Sequence, residues 1–558
     1  MLEEFREKCG IGAVIDRTGS TNVLQHAIRI VDGLQHRGEL GAGIAAHQEW
    51  QEGENTLRVH CGKGLVKEVL HTIRYDFAWK THAAITHTRY ATSGTNDVCL
   101  TQPFVVDTGD PKTSFALGFN GNIANFDHVK KLLAEKGVTL KRDVDTEAIC
   151  ELLRLELERG GTMPQAIRAL EKVLDGCYNL TILTQEGNLY AYRDRKAFRP
   201  LSYAEIDGVV AVASEDIAIR KIWGEVPVKE LAAGEILCVE RTIAKAANGT
   251  RKTVARLELP VLEGKERDGT TAHCFFEWIY FANRLSKIAG RSVNTVRYLL
   301  GEELANMDDR MPQGTVVVPV PDSSKIAGDG YADKRHLRRV DLLLKNPYIG
   351  RTFIDYEDRE RKAELKYDID PNVIIEKRGD KFVCKDMVLI DDSIVRGTTM
   401  RALIGRIKKK ILLRLAELEG LELTEEQSED PLGKLPKQWI SERLGKIHLR
   451  LACPPILHPC YYGIDMKSPA ELVARQHSLA RFGPDGTLPQ EELDALARYF
   501  GVDSIQFASI PAVARALGVD EKEIEKVLCM ACVTGHYPTP AGRERSQQDE
   551  QLYKMSIV

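Results

Sequence analysis

Two kinds of apolar pattern divide the chain. From residue 9 to about 245, short β-prone runs recur at 83–87, 115–119, 180–183 and 209–213, and helical spacing appears at 26–35 and 145–158. Strands and helices mixed in this way predict an α+β layered domain. Polar, turn-rich sequence at 246–271 (AANGTRK and EGKERDGTT around one apolar stretch) predicts an interdomain connection, with a boundary near 250–272. Beyond it, VVVPV (316–320) and MVLIDD (387–392) are continuous apolar runs that end in polar residues and precede helical sequence. Such runs predict strands of a buried parallel sheet, so the second domain reads as α/β. The segment 406–446 is rich in Lys, Glu and Leu, contains the acidic stretch EEQSED, and predicts helices inserted on the surface. There is no internal repeat.

Length and composition narrow the classes. At roughly 100 to 200 residues per domain, 558 residues hold two to four domains. A net charge of −4 with 28% charged residues gives no reason to expect nucleic acid or an anionic membrane as the main partner, so an anionic substrate must be met by local groups. The longest apolar runs, at 314–320 and 387–390, are strand length and far short of a membrane span. The first eight residues are charged and lack the apolar core of a signal peptide, so a cytoplasmic location is expected. The twelve cysteines are then expected to be thiols, ligands or a nucleophile rather than disulfides.

The most specific motif is VLIDDSIVRGTTM at 388–400. An apolar strand there delivers Asp391 and Asp392 to its C-terminal end, where ligands of open α/β sheets bind. Gly397, Thr398 and Thr399 follow at a helix start, where backbone amides, the helix dipole and two hydroxyls suit a phosphate group. The carboxylates suit ribose hydroxyls or a hydrated Mg²⁺.

This run resembles the phosphoribosyl pyrophosphate (PRPP) signature of type I phosphoribosyltransferases, in the form found in the amidophosphoribosyltransferase family. The resemblance extends from Cys9 to Pro538. VPVPDSSKIAGDGYA (318–332) is similar to the family's pyrophosphate loop, which places Asp322 and Ser323 beside substrate, with Ser323, Asp391 and Asp392 around Mg²⁺. KNPYIGRTFI (345–354) resembles the loop that closes over PRPP and keeps water from competing with ammonia. In it Arg351 is the candidate charged clamp, with Lys366 a weaker one.

The N-terminal half resembles the N-terminal nucleophile glutaminases. Cys9 opens CGIGAVIDR and matches a nucleophile whose own free α-amino group, of pKa about 7.7 to 8, serves as its base. A cysteine at position 9 has no free amine, so residues 1–8 are expected to be a propeptide. LQHRGELGAGIA (34–45), THTRYATSG (86–94), GFNGNIAN (118–125) and DVDTEAI (143–149) follow in the family's order, then RDRKAFRPL (193–201) and ASE (213–215). The resemblance implies that Arg89 holds the glutamine α-carboxylate, that Asp145 receives its α-amino group, and that Asn120 and Gly121 form the oxyanion hole. Its fold implication is an αββα glutaminase domain (9–250), then an α/β phosphoribosyltransferase domain (273–470) with a helical C-terminal extension (471–558).

The C-x-x-C pair of Cys529 and Cys532 has ligand spacing for an iron–sulfur cluster or Zn²⁺. The sequences around Cys274 and Cys460 resemble the cysteine segments of cluster-containing family members, which implies a [4Fe–4S] cluster. Cys61, Cys99, Cys150, Cys177, Cys238, Cys384 and Cys453 lack such a pattern and are expected to be buried thiols. The chain also departs from the family. Asn283, Arg284 and Leu285 replace Arg, Pro and Asp near the domain junction. Asp368 falls where a lysine is expected and would not hold a pyrophosphate. Glu39, Leu40 and Gly41 replace Gln-Glu-Ser in the wall of the glutamine pocket. Additional residues fall at about 406–446 and 480–498.

The activity implied is formation of 5-phosphoribosylamine, glutamate and pyrophosphate from PRPP, glutamine and water, the entry to purine synthesis. Purine nucleotides are expected as inhibitors and a homotetramer as the assembly. Two other readings remain at this stage: a glutamine amidotransferase with a different ammonia acceptor, and a non-catalytic PRPP or nucleotide sensor.

Overall fold

The computed structural model describes residues 9–49, 55–73, 79–90, 98–245, 251–258, 270–308, 311–312, 314–345, 367–466, 468–476 and 487–557. The propeptide, Arg351 and Lys366 lie outside the described residues.

The first domain is two stacked antiparallel sheets between helices. In the first sheet, Gly10–Asp16 lies between Val209–Ala213 and Ala83–Arg89; in the second, Phe115–Ile123 pairs with Gly176–Thr184. Ile11, Ala13 and Ile15 point into the space between the sheets against Ala116, Leu183 and Leu237. Val14 points the other way, onto the helix Leu24–Gly33. The helix Asp145–Glu158 covers the outer face of the second sheet through Ile149 and Leu153. Both faces of each sheet are covered, so the strand Gly10–Asp16 is buried along its whole length and shows no polar alternation. The layers are the αββα order expected.

The second domain is a parallel sheet in the order Arg338–Arg339, Val316–Pro319, Met387–Asp391, Ile447–Leu451, Ser504–Phe507. Three expectations change. The first-domain sheet continues past 250, because Arg251–Glu258 pairs with Ile236–Lys245. Residues 471–558 are not a separate helical extension: Ser504–Phe507 is a strand of this sheet, and Leu496, Phe500 and Phe507 share a core with Leu389. The segment 406–446 is only in part a surface addition: the helix Thr398–Leu418 carries Ile407, Ile411 and Leu415 into that core, Trp439 of the helix Lys437–Arg443 packs against it, and the helix Glu425–Glu429 buries no residue. The helix Gln490–Phe500, within the second expected addition, is likewise core-facing. Apolar spacing alone cannot separate an amphipathic surface helix from one that spans a sheet. Among the described residues no helix is long and apolar enough to cross a membrane.

Two helices beside the sheet, Val293–Met307 and Lys325–Arg335, touch through glycine. A Cβ on Gly301 would lie 1.9 Å from the Ala327 carbonyl oxygen, and one on Gly330 would lie 2.1 Å from that of Tyr298. Gly405 sits in a helix with nothing in reach of an added Cβ. Gly301→Ala is therefore expected to cost about 1–3 kcal/mol by overpacking, whereas Gly405→Ala gains about 0.5–1 kcal/mol of helix propensity. Thermal unfolding should show a lower midpoint for the first variant and a higher one for the second.

Candidate active sites and the junction between them

Cys9 stands one residue before the central strand Gly10–Asp16, with its thiol 3.7 Å from the Tyr90 carbonyl oxygen. Neighbouring strands hold it through its backbone. Gly10 N–H donates to Thr88 Oγ1 at 3.1 Å, Ile11 N–H donates to Ser214 Oγ at 3.0 Å, and Arg37 Nε donates to the Cys9 carbonyl at 3.2 Å. Asn120 reaches the same place from the second sheet, its side-chain amide 3.5 Å from Ser214 Oγ. Asn120–Gly121 is thus a mid-strand pair, with Asn120 on the Ser214 hydroxyl that also holds Ile11 N–H, although Asn-Gly alone reads as a turn. Gly121 has φ 159°, and a Cβ there would lie 1.9 Å from the Cys177 carbonyl oxygen.

Buried polar groups fix the surroundings. Arg89 is buried at the end of its strand and pairs with Gly41. His87 lies between the sheets with Nε2 3.2 Å from the Phe119 carbonyl; burial, with Arg89 close by, pushes its pKa down to about 3, so the ring is neutral and Nε2 is the donor. Asp145 starts its helix beside the end of the strand that carries Asn120. Burial pushes its carboxyl up to about 6, against hydrogen bonds from backbone N–H groups including Thr146 and Ile123. In the altered pocket wall, Glu39 is exposed, and Leu40 N–H donates to the Arg89 carbonyl at 3.1 Å.

In the second domain the strand Met387–Asp391 ends where the loop 321–324 arrives. Ser324 Oγ donates to Asp391 at 2.9 Å, and Ser323 Oγ donates to Asp392. Asp322 is nearby but paired with lysines, Lys345 at 3.1 Å and Lys325 at 3.7 Å. Gly397, at φ 77°, is the N-cap of the helix Thr398–Leu418, and no side chain caps its first turn. The leading amides of that helix therefore need an outside acceptor. The stem of the 346–366 segment is the strand pair Leu343–Lys345 and Tyr367–Ile369. Tyr367 is buried, its hydroxyl on the Pro321 carbonyl at 3.1 Å, so Asp368 takes the opposite face and is exposed. Alternation along the strand turns Asp368 away from the Pro321 loop.

Cys274, Cys460, Cys529 and Cys532 wall one enclosed apolar cavity together with Phe198, Tyr462 and Ile464. They come from distant segments, brought together by the short parallel pairing of His273–Cys274 with Leu528–Cys529. Among the described residues no group of three or more His, Cys, Asp or Glu side chains gathers as a ligand set for a metal ion. Of the other cysteines, Cys150, Cys177, Cys238, Cys384 and Cys453 are buried as expected and Cys61 partly so. Cys99 is not: it lies exposed in the short turn Val98–Leu100, in which no residue is buried.

The domains meet beside Cys9. Asn122 Nδ2 donates to the Tyr461 carbonyl at 2.9 Å, and a side chain on Gly463 would come within 3.6 Å of Gly121. Glu215 accepts from Arg37, from the Ser286 hydroxyl and, at 2.8 Å, from Asn283 N–H, while His36 lies 2.7 Å from it. Burial opposes that charge, but His36, Arg37 and Ser286 outweigh it and hold the carboxyl well below the usual range. The substituted Asn283 thus contributes a backbone contact across the junction. Glu277 accepts from both Arg37 and Arg199. Ser214, Glu215, Arg37, Arg199 and Glu277 received no role from the sequence. Their signal is charge or hydroxyl embedded in apolar sequence, as in HCFFEWIYF and VVAVASE.

Known proteins resemble this chain along almost its whole length. A family model described as "Glutamine amidotransferase domain" matches residues 87–221. The chain is similar to the amidophosphoribosyltransferase of Methanothermobacter thermautotrophicus, 33% identical over 98% of each chain, and to that of Bacillus subtilis, 30% identical over 97% of this chain and 96% of the relative. Among solved structures it is similar to glutamine PRPP amidotransferase from B. subtilis complexed with ADP and GMP, with TM-score 0.69, 28% identity, and 96% and 98% of the two chains covered. It is also similar to an allosteric regulatory enzyme of purine biosynthesis, with TM-score 0.71, 28% identity, and 96% and 97% covered. With a thiol at the head of the central strand in one domain, paired carboxylates beside an uncapped helix in the other, and relatives matched from end to end, the chain belongs to the amidophosphoribosyltransferase family.

Proposed function

We infer that this enzyme makes 5-phosphoribosylamine, glutamate and pyrophosphate from PRPP, glutamine and water, the first step of purine synthesis. The observation that carries this reading is the presence of both sites in one chain whose relatives are matched along 98% of its length. In the proposed mechanism Cys9, its α-amino group freed by removal of residues 1–8, attacks the glutamine amide. Arg89 and Asp145 hold the two ends of the amino acid, and Asn120 and Gly121 N–H stabilise the oxyanion. Ammonia leaves, water hydrolyses the thioester, and ammonia crosses the junction to displace pyrophosphate at C1 of PRPP. The helix start at Gly397, Thr398 and Thr399 takes the 5′-phosphate, and Asp391 and Asp392 orient the ribose. Asp322 is the nearby member of the pyrophosphate loop, and Arg351 is the proposed clamp.

Two cofactors belong to the proposal. Ser323, Asp391 and Asp392 are oxygen ligands suited to Mg²⁺, which would neutralise pyrophosphate charge. Four thiols walling one apolar cavity suit a [4Fe–4S] cluster held by Cys274, Cys460, Cys529 and Cys532, which would tie residues 528–532 to the domain junction. Inhibition by purine nucleotides is supported by the ADP and GMP of the B. subtilis relative. A homotetramer, implied by the family resemblance, and a cytoplasmic location, expected from the charged first eight residues, complete the reading.

Three outcomes are expected. Purified enzyme with glutamine, PRPP and Mg²⁺ should release glutamate and pyrophosphate together; glutamate alone would point to another ammonia acceptor, and neither product to a sensor. Protein prepared without oxygen should be brown and contain iron and sulfide, and Cys529→Ser should lose both; a colourless wild-type protein would sink the cluster. The third concerns pH. Asp145 binds a substrate ammonium only when ionised, and its pKa in the folded protein is raised to about 6 by burial. The KM for glutamine should therefore rise as pH falls through that value. For stability the sign is opposite: this group penalises the fold above about pH 6, and the penalty fades as pH falls toward 3.8, the unfolded value. Asp145→Asn should raise KM roughly 10- to 100-fold, the loss of a charged hydrogen bond of ~1.5–3 kcal/mol, and remove the inflection.

A further inference from the structure

Two buried carboxylates, Glu215 and Glu277, join Arg37 beside Cys9 to the other domain: Glu215 accepts from Arg37 Nη1 at 2.6 Å, and Glu277 takes both terminal nitrogens. Glu277 begins the five-residue π-helix Glu277–Phe281, a rare turn that recurs at functional sites. Its carboxylate accepts from Arg37 Nη1 at 3.0 Å and Nη2 at 2.8 Å, and from Arg199 Nη1 at 2.9 Å. The remaining nitrogen of Arg37, Nε, is the one on the Cys9 carbonyl. Arg37 and Glu277 are each 1% exposed. A guanidinium is planar, so pinning two nitrogens on Glu277 fixes where the third points. The π-helix is itself braced from behind, where Arg297 Nε donates to the Trp278 carbonyl at 2.8 Å and Nη2 to the Ala282 carbonyl at 2.9 Å.

We propose that Glu277 is a positioning residue for the glutaminase reaction: acting through Arg37, it sets the Cys9 carbonyl, and with it the thiol, from the phosphoribosyltransferase side of the junction. The inference rests on Cys9 being the nucleophile. A simple interdomain staple would have a different signature, because losing a staple would harm both half-reactions. Loss of a positioning contact harms only the one that uses Cys9. Transfer from free ammonia to PRPP bypasses Cys9 and reports on the second site alone.

Glu277→Gln in the full-length enzyme keeps size and one acceptor while removing the charge. It should slow glutamine hydrolysis and alkylation of Cys9 by an electrophilic glutamine analogue by roughly 10²-fold, the scale of a misplaced reacting group. The KM for glutamine should stay within about twofold, and ammonia-dependent pyrophosphate release should be unchanged. Arg37→Met should behave the same way, and the double variant should be no slower than Arg37→Met alone. Glu277→Asp, which keeps the charge but shortens the reach, serves if the glutamine variant does not fold and should show the same split. Wild-type alkylation in the Glu277 variants, or equal loss of glutamine- and ammonia-dependent activity in both, would overturn the proposal. Cys9→Ala separates the two levels: retained glutamine hydrolysis in that variant would remove the nucleophile reading itself, independently of Glu277.

Discussion

The arrangement at the centre of this molecule depends on a charge network that has no water to fall back on. Arg37, Glu215, Glu277 and Arg199 are all buried at the seam between two folds that share no sheet. Burial works against every one of these charges, and the partners hold both carboxyls below their ordinary range. Removing one member of such a set costs about 3–5 kcal/mol, because a charge is then left dry and unpaired. The network reaches the Cys9 carbonyl through Arg37, so the geometry at Cys9 is set by charges contributed from both domains.

The junction gathers elements far apart in sequence. Residues 460–463 carry one cavity thiol, place the Tyr461 carbonyl on Asn122 and bring Gly463 against Gly121. Arg199 Nη2 donates to the Gly463 carbonyl at 3.1 Å while Nη1 holds Glu277. These few contacts join the thiol-walled cavity to the strand that carries Asn120 and Gly121.

The departures from the family's pattern read differently once placed. Asp368 alternates away from the loop that Tyr367 touches and lies in solvent. Asn283 accepts a hydrogen bond from Leu285 N–H at 3.0 Å, and its own N–H is on Glu215, so the altered tripeptide forms a turn that the charge network uses. The first change thus falls on an exposed strand face, and the second on a turn held by the charge network.

Local sequence sufficed for elements whose pattern is decided within a few residues. The strand Val209–Ala213 and the helix Asp145–Glu158 fall on the expected bounds, because an apolar run between turns and an acidic helix start are short-range signals. The strand-to-helix motif with Asp391, Asp392 and Gly397 was legible for the same reason. Domain limits were not: strand Arg251–Glu258 belongs to the first domain and Ser504–Phe507 to the second only through partners that local pattern cannot name. The sequence by itself determined which groups the chain carries, a thiol, an Asn-Gly pair and a carboxylate pair before a glycine-led helix, since those depend on residue type and order. Tertiary structure alone decided that Arg37, 240 residues from Glu277, would bind it and point at Cys9. A buried charge finds its partner through the whole fold's geometry, and no local spacing encodes that distance.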